Sequence, residues 1–322
     1  MQLFLTGGTG FFGKAILRKL LILAGNYPSQ RPDRVVVLSR NPEIFLTAYP
    51  EFVGHDWLFF HKGDVEKQAS LPMHESFTHV IHAAADSTNV PNMTHLKRYD
   101  QIVNGTRNML DFSLRVGAKR FLLTSSGAVY GRQPENISQM FEDYCGMPNP
   151  VTPENSYGIA KRQAEHLCAL YCHHHHLNIV IARCFAFVGP DLPMNAHFAI
   201  GNFIRDALFG DSIIVSGDGS PVRSYLYQDD LVSWLFCILE KGRVGDVYNV
   251  GSDQAFTIKS LAELVRDVVA PGKSILVGES KRDNANRNLY IPDITKAKQE
   301  LGLRIETPLV DALRKTIQRL KA

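Results

Sequence analysis

Short apolar runs alternate with segments of helical periodicity through the first half of the chain. Between the runs, apolar residues recur at helical spacing, as Phe12, Ile16 and Leu20 do. Such alternation of strands and helices predicts an α/β fold whose parallel sheet is covered by helices on both faces. The predicted strands are residues 3–5, 35–38, 58–60, 80–81, 121–123 and 179–181.

The rhythm changes after Arg183, where a stretch rich in glycine, proline and aspartate spans residues 188–193. A helical segment around 203–208 and a glycine-rich loop follow it, which indicates a second, smaller unit. Two later strand candidates, residues 225–227 and 247–250, are predicted to return to the first sheet. The two units are therefore expected to be interleaved.

Composition removes several classes of protein. The 322 residues carry a formal net charge of +3, without long basic runs, so the electrostatic footprint of a nucleic-acid binder is missing. An odd number of cysteines, five, with no CxxC pair among them, argues against a disulfide framework. The apolar run at 20–24 is too short to span a bilayer, and a strand at residues 2–5 leaves no room for a signal peptide. We therefore expect a cytoplasmic protein with reduced thiols and no membrane contact.

The first predicted strand runs directly into a glycine turn, Thr6-Gly-Gly-Thr-Gly-Phe-Phe-Gly13, at the opening of a helix. Glycine permits a tight turn and a close approach of the backbone, while the N–H groups and dipole of the helix start attract a pyrophosphate. The position after the first strand predicts a dinucleotide site in a doubly wound parallel Rossmann sheet. Its predicted contacts are Gly7, Gly10, Phe11, Phe12 and Gly13.

The end of the second strand bears on the choice of cofactor. An NAD site usually has an acidic residue there, whereas this strand ends in Ser39 and Arg40. A hydroxyl and a guanidinium can bind a 2′-phosphate, so NADP is preferred and NAD is kept as the alternative. Asp64, followed by Val65, is placed to accept a hydrogen bond from the adenine amino group. A solvated loop arginine and a simple turn aspartate are the competing interpretations.

The reacting groups are predicted where Tyr157 and Lys161 lie four residues apart in a helix, which puts both on one face. A neighbouring ammonium can stabilise a phenolate, so the tyrosine can act as general acid and base. The fifth strand ends at Thr124 and Ser126, at the edge where parallel sheets bind ligands. Ser126 is the candidate for binding the substrate oxygen. No GxSxG motif surrounds it, which speaks against a serine hydrolase.

With these residues in view, the chain resembles the extended short-chain dehydrogenase/reductases, in the branch of nucleotide-sugar epimerases, dehydratases and ketoreductases. The resemblance implies that Ser126, Tyr157 and Lys161 form the catalytic set and that Thr124 lies at the cofactor. It also implies that Ala83 and Ala84 line the cofactor. The matching segments are the glycine turn, Asp64-Val65, His82-Ala-Ala-Ala85, Asn104-Gly-Thr106, the Ser126 segment, Tyr157 with Lys161, residues 183–190 and residues 217–230.

The same resemblance implies a substrate contact at Arg223, whose guanidinium fork suits a diphosphate. Arg282 and Arg287 look like further nucleotide contacts. The implied organisation is a dinucleotide-binding domain of residues 1–185 plus about 224–258, and a smaller, interleaved α/β substrate-binding domain of residues 186–223 and 259–322.

Two departures from the family pattern limit the reaction. Relatives that dehydrate a sugar carry an acid and base pair after the catalytic hydroxyl, where this chain has Gly127 and Ala128. A 4,6-dehydratase is therefore not expected. Ala186 replaces an asparagine that commonly touches the substrate. The residues that could compensate for it are Asn195, His197 and Asn202.

The leading prediction is an NADP-dependent reductase of a 4-keto nucleotide sugar, and the close alternative is an NAD-dependent 4-epimerase. A non-catalytic dinucleotide sensor is the alternative from another class. No metal site is expected, because the histidines at 173–176 are interpreted as a solvated helix end and Cys145 as a loop residue. Long helices around 92–116 and 157–176 could form a homodimer or pack within one chain.

Overall fold

The computed structural model describes residues 1–85, 93–196, 198–279 and 289–321. The strands are β1 (Gln2–Thr6), β2 (Arg34–Ser39), β3 (Leu58–Lys62), β4 (His79–His82), β5 (Arg120–Ser126), β6 (Ile179–Cys184), β7 (Phe187–Val188), β8 (Ser212–Val215), β9 (Val222–Arg223), β10 (Leu226–Tyr227), β11 (Val247–Val250), β12 (Phe256–Thr257), β13 (Ser274–Val277) and β14 (Leu289–Tyr290). The helices are α1 (Phe11–Asn26), α2 (Pro42–Ala48), α3 (His95–Arg115), α4 (Ser156–His175), α5 (Ala199–Phe209), α6 (Gln228–Lys241), α7 (Ile258–Val269), α8 (Thr295–Leu301) and α9 (Leu309–Lys321).

Seven of these strands form one parallel sheet in the order β11-β6-β5-β4-β1-β2-β3. Successive strand residues point to opposite faces, so Leu3 and Leu5 pack with α1 and α6, whereas Phe4 packs with α3 and α4. All six apolar runs of the first half lie in this sheet, and both of its faces are covered. The prediction of a doubly wound α/β sheet is confirmed.

One predicted strand lies elsewhere. Val247–Val250 pairs with β6 and joins the sheet as expected. Residues 225–227 do not join it: Leu226 and Tyr227 pair with Phe187 and Val188 in a separate two-stranded ribbon. The sequence-based prediction for this segment was wrong, because β11 already occupies the edge of the sheet beside β6.

A further apolar cluster lies among α5, α7 and α9, including Phe203, Leu261 and Leu313. The antiparallel pair of β12 with β9 and the parallel pair of β14 with β9 stand beside this cluster as a small sheet. The chain then returns, since Ile294 and Ala297 pack in the core shared by α1 and α6. The part of the chain after 258 thus contributes to both cores.

No helix among the described residues is long and apolar enough to cross a membrane.

Candidate functional site

The glycine turn after β1 is too tightly packed for side chains. Gly7 has a φ of +73°, and a Cβ there would lie 2.5 Å from the carbonyl carbon and oxygen of Ala83. A Cβ on Gly13 would lie 2.1 Å from the Cα of Gly8. Gly10 donates its N–H to Gly7 at 3.0 Å and precedes α1, whose first turn holds no acidic residue. The turn therefore presents backbone and the positive end of a helix, which fits a pyrophosphate.

The two phenylalanines of the turn orient the start of α1. The ring of Phe12 meets that of Phe187 edge-on, with centroids 5.2 Å apart, and the rings of Phe11 and Phe12 are 5.7 Å apart. Because Phe187 belongs to β7, these contacts join the glycine turn to the segment that follows β6.

The residues predicted to choose the cofactor gather at the ends of β2 and β3. Ser39 is buried and accepts a hydrogen bond of 3.3 Å from the Asn41 amide, while Arg40 is exposed. Asp64 accepts from the Glu66 amide at 3.1 Å, so one of its oxygens acts as a turn acceptor. Burial and then the charge of Asp64 raise the pKa of Glu66, and the charges of Lys97 and Arg40 oppose that shift. Arg40 therefore lies near the acidic loop after β3.

Lys161 is the buried cation of the predicted catalytic set. Its side chain is 4% exposed, and its Nζ donates a 2.8 Å hydrogen bond to the carbonyl oxygen of Thr124 at the end of β5. Burial lowers the pKa of Lys161 to about 8, against the raising effects of Cys184, Glu165 and Cys168. The amine is thus held beside the sheet edge and titrates not far above neutrality.

Gly158 brings the first turn of α4 against the segment that follows Ser126. A Cβ at position 158 would lie 2.6 Å from the carbonyl oxygen of Ala128, so a larger residue would push the helix away. Ser126 accepts a 3.1 Å hydrogen bond from the Ala128 amide, which leaves its hydroxyl proton available to a ligand. Tyr157, the half-buried residue before Gly158, therefore lies in the helix start that packs against the segment after Ser126.

Sequence reasoning missed Glu165, which continues the spacing of Tyr157 and Lys161 by one more helical turn. Glu165 is buried and accepts a 2.5 Å hydrogen bond from the hydroxyl of Ser125. The guanidinium of Arg183 donates two hydrogen bonds to the same carboxylate, from Nη2 to Oε2 at 2.7 Å and from Nε to Oε1 at 3.0 Å. These contacts therefore hold helix α4 against β5 and β6 next to the predicted catalytic residues. The repeat at i, i+4 and i+8 was the available signal.

Arg183 also reaches the turn after β5. Its guanidinium lies 4.7 Å from the ring centre of Tyr130, and its Nη1 donates to the carbonyl oxygen of Glu142 at 2.9 Å. The Tyr130 hydroxyl donates to Asn249 at 2.8 Å. Burial raises the pKa of Tyr130, so its phenol keeps its proton. The arrangement fixes the turn that carries Gly127 and Ala128.

The space beside Gly127 is filled by two aromatic residues. A Cβ on Gly127 would lie 2.7 Å from the hydroxyl oxygen of Tyr290 and 2.8 Å from the Cζ of Phe185. The rings of Phe185 and Tyr290 are 4.7 Å apart. Tyr290 pairs in register with Arg223 across β14 and β9, so it links the predicted diphosphate residue to the turn after β5. Tyr290 was not among the site residues predicted from the sequence.

The other predicted substrate residues that the structure describes lie in β9, in α5 and in the turn before α5. Arg223 donates to the carbonyl oxygen of Val222 at 2.8 Å and stays half-buried. Asn202, in α5, accepts a 3.4 Å hydrogen bond from Arg205. Asn195 precedes α5 in a turn. The predicted residues His197, Arg282 and Arg287 lie outside the described residues.

The histidines at 173–176 stand at the exposed end of α4, where His176 has a φ of +53°. Cys145 is exposed in a loop, and its Sγ lies 3.4 Å from the carbonyl oxygen of Asp143. Across the described ranges, no three histidine, cysteine, aspartate or glutamate residues are grouped as metal ligands would be.

Comparison with known proteins identifies the family. A family model described as the NAD dependent epimerase/dehydratase family matches residues 3–251. The chain belongs to this family. UDP-glucuronic acid decarboxylase 1 of Danio rerio is 32% identical over 319 residues, covering 98% of this chain and 72% of that protein. UDP-glucuronic acid decarboxylase 6 of Arabidopsis thaliana is 30% identical over 321 residues, covering 97% and 87% respectively.

A solved structure extends the likeness across the whole chain. The dTDP-glucose 4,6-dehydratase DesIV of Streptomyces venezuelae, with NAD and TYD bound, superimposes with a TM-score of 0.83 and 26% identity. It covers 100% of this chain and 97% of that one. The chain is therefore an enzyme of the NAD-dependent epimerase/dehydratase family with a Rossmann-like sheet, and its glycine turn fits the dinucleotide that the family name implies.

Proposed function

We propose that this enzyme moves a hydride at C4 of a nucleotide-linked sugar, with Tyr157 as general acid and base. The observation that carries the proposal is the hydrogen bond of Lys161 to Thr124, which fixes an amine one helical turn from Tyr157 and at the end of the strand that bears Ser126. A sensor that only binds a dinucleotide would not need Ser126, Tyr157 and Lys161 together.

Each residue has a distinct role in the proposed reaction. A free phenol titrates at about 10, so an ammonium at Lys161 is needed to stabilise the Tyr157 phenolate near neutral pH. Ser126, whose oxygen already accepts a hydrogen bond from the Ala128 amide, keeps its proton and donates a hydrogen bond to the sugar oxygen. Tyr157 gives a proton to that oxygen in reduction and takes it in oxidation. When bound, the nicotinamide cofactor supplies or accepts the hydride.

The proposed cofactor and the proposed direction of its use rest on the residues at the end of β2. Ser39 and Arg40 replace the usual carboxylate there, which favours NADP and hence reduction of a 4-keto nucleotide sugar. NADP is released as a product of each reduction, so the enzyme must exchange its cofactor. The missing acid and base at Gly127 and Ala128, together with the contacts of Tyr290 and Phe185 there, argue against dehydration.

An NAD-dependent 4-epimerase is the second candidate. It is favoured by the NAD in the DesIV structure and by the family description. Loss of CO2 from a uronic acid also needs a ketone β to the carboxylate, which is C4, so the named activity of the decarboxylase relatives agrees with C4 as the reacting carbon.

The proposed division of labour keeps the cofactor on residues 1–185 and about 224–258 and the nucleotide sugar on residues 186–223 and 259–322.

A homodimer through α3 and α4 is proposed as well, since Leu96 and Leu170 are exposed on these helices. Sedimentation analysis of the enzyme tests this oligomeric state. We place the enzyme in the cytoplasm.

The test is a panel of nucleotide sugars and nucleotide 4-keto sugars with NADPH or NADH, followed by product analysis. The reductase proposal predicts oxidation of one equivalent of NADPH for each 4-keto sugar consumed. A C4 epimer formed without net change of the cofactor would support the second candidate. Cofactor binding without turnover of any sugar would refute both and leave the sensor.

A further inference from the structure

The imidazole of His82 is buried beneath the cofactor turn and is bonded at both ring nitrogens. Its side chain is 3% exposed at the end of β4. The Nδ1 lies 2.8 Å from the hydroxyl oxygen of Thr6, the last residue of β1, and the Nε2 lies 3.3 Å from the hydroxyl oxygen of Thr106 in α3. The ring therefore bridges a strand and a helix. The proposed catalytic steps make no use of it.

The hydroxyl partners determine which nitrogen carries the proton. Thr106 donates its only hydroxyl proton to the carbonyl oxygen of Ile102 at 2.7 Å, so its oxygen can only accept from His82. The Nε2 must then carry the hydrogen, and the Nδ1 of the neutral ring accepts from Thr6. The oxygen of Thr6 in turn accepts from the Ala84 amide at 3.2 Å. All four hydrogen bonds therefore have a fixed direction.

The hydrogen bonds from Ala84 through Thr6 and His82 to Thr106 form a series, and both ends of this series meet segments expected to hold the cofactor. Ala84 follows Ala83, whose amide donates to the carbonyl oxygen of Thr6 at 3.3 Å and whose carbonyl group is the one that a Cβ on Gly7 would strike. At the other end, Gly105 lets α3 approach the side chain of Val65, since a Cβ would lie 2.9 Å from its Cγ2. This series of hydrogen bonds thus joins three predicted cofactor segments, at Gly7, Ala84 and Val65.

We propose that His82, in its neutral Nε2–H form, is a positioning residue for the dinucleotide. It holds the Ala83 and Ala84 backbone against the glycine turn through Thr6 and holds α3 in place through Thr106. The inference rests on the proposed function in one respect, namely that the glycine turn binds NAD(P). It assigns a joint role to two sequence motifs, His82-Ala-Ala-Ala85 and Asn104-Gly-Thr106.

The electrostatic surroundings agree with a neutral ring. Burial, and then the charge of Lys161, lower the pKa of His82 to about 3. The ring of Phe121 lies 6.3 Å away and offers no acceptor for a proton. A proton on Nδ1 would compete with the Ala84 amide for the Thr6 oxygen and so disturb the contact at the cofactor turn.

The binding test compares Thr6→Val with Thr6→Ser by calorimetric titration with NADP and NAD. Removing the hydroxyl is expected to weaken cofactor binding by about tenfold, whereas serine, which keeps it, should stay within about threefold of the wild type. Equal dissociation constants for Thr6→Val and wild type, with both proteins folded, would overturn the proposal. A wild type that binds neither cofactor would instead refute the proposed function.

The second test is independent of the cofactor. Nitrogen NMR of histidine-labelled ligand-free enzyme at about pH 5 should show the His82 ring still neutral and in the Nε2–H form, because burial lowers its pKa far below the value of about 6.5 at which ordinary histidines titrate. The His82→Asn variant assigns that signal by its loss. Thr106→Val should change the tautomer ratio, and Thr106→Ser should preserve it. A His82 ring that is protonated or in the Nδ1–H form in the wild type would refute the proposed tautomer and, with it, the proposal.

Discussion

The amine of Lys161 donates a hydrogen bond of 2.8 Å to the main-chain oxygen of Thr124. This bond joins the second turn of α4 to the end of β5 beside the predicted site. Because the acceptor is an uncharged backbone carbonyl, it does not neutralise the positive charge of the buried ammonium. Burial of the charged amine therefore lowers the pKa of Lys161, and this lowered pKa can be measured.

The rate is predicted to fall as the pH rises through about 8, the pKa of Lys161 in the folded enzyme. The protonated amine stabilises the Tyr157 phenolate, so its loss of a proton removes that stabilisation above this pH. Glu165 raises the pKa of Lys161, and Glu165→Gln should therefore move the alkaline fall to lower pH.

The measurement is the dependence of kcat on pH for the wild type, for Glu165→Gln and for Glu135→Gln, an exposed control. Since Glu165→Gln leaves Arg183 buried without its carboxylate, it should also lower the free energy of unfolding by about 3 kcal/mol. A variant profile that coincides with the wild type, or moves to higher pH, would contradict this account of Lys161.

Arg40→Ala is predicted to weaken NADP binding much more than NAD binding, by about tenfold or more for the phosphorylated cofactor, because a charged hydrogen bond to the 2′-phosphate is lost. Arg314→Ala, an exposed arginine in α9, is the matched control. Titrations of both cofactors measure the effect. Equal losses for NADP and NAD would remove the preference for NADP.

Arg223→Lys is predicted to raise KM for the nucleotide sugar while leaving cofactor binding near the wild-type value. Lysine keeps the charge but cannot form two parallel hydrogen bonds to a diphosphate, and the expected loss is about tenfold. Steady-state kinetics and cofactor titration on one preparation separate the two effects. An unchanged KM would mean that Arg223 does not bind the diphosphate.

Gly127→Ala is predicted to destabilise the catalytic turn by about 1–3 kcal/mol, the usual cost of overpacking a buried position. The added methyl would meet the Tyr290 hydroxyl, so Tyr290→Phe in the same chain should restore part of the loss. Gly25→Ala is the control, since a Cβ there meets nothing within 4 Å. Thermal unfolding of the set would contradict the packing account if the second change restored nothing.

The sequence predicted the fold well because burial on both faces leaves a local pattern. Runs such as residues 35–38 are apolar throughout, and the turn at Gly7 and Gly13 follows directly from its glycines. The destination of Leu226 and Tyr227 has no such pattern. Two-residue strands contain too little periodicity, and their partner depends on which strand has already taken the sheet edge.

The site was predictable where its chemistry is local in sequence, as for Tyr157 and Lys161. Glu165 and Arg183 were missed as a pair because their contact joins residues from α4 and β6, and a charged residue ordinarily predicts an exposed face. Tyr290 was missed for the same reason, since its proximity to Gly127 arises only when β14 pairs with β9. Contacts between distant segments need the assembled fold.

The central claim is that Tyr157 supports hydride transfer at C4 of a nucleotide sugar. The most direct measurement is reduction of a nucleotide 4-keto sugar with NADPH deuterated at the transferable position, followed by NMR of the product. The account predicts one deuterium at C4 with the wild type, and for Tyr157→Phe a rate lower by about a hundredfold or more with nearly unchanged NADPH affinity. Deuterium at another carbon, or a Tyr157→Phe variant as fast as the wild type, would contradict it.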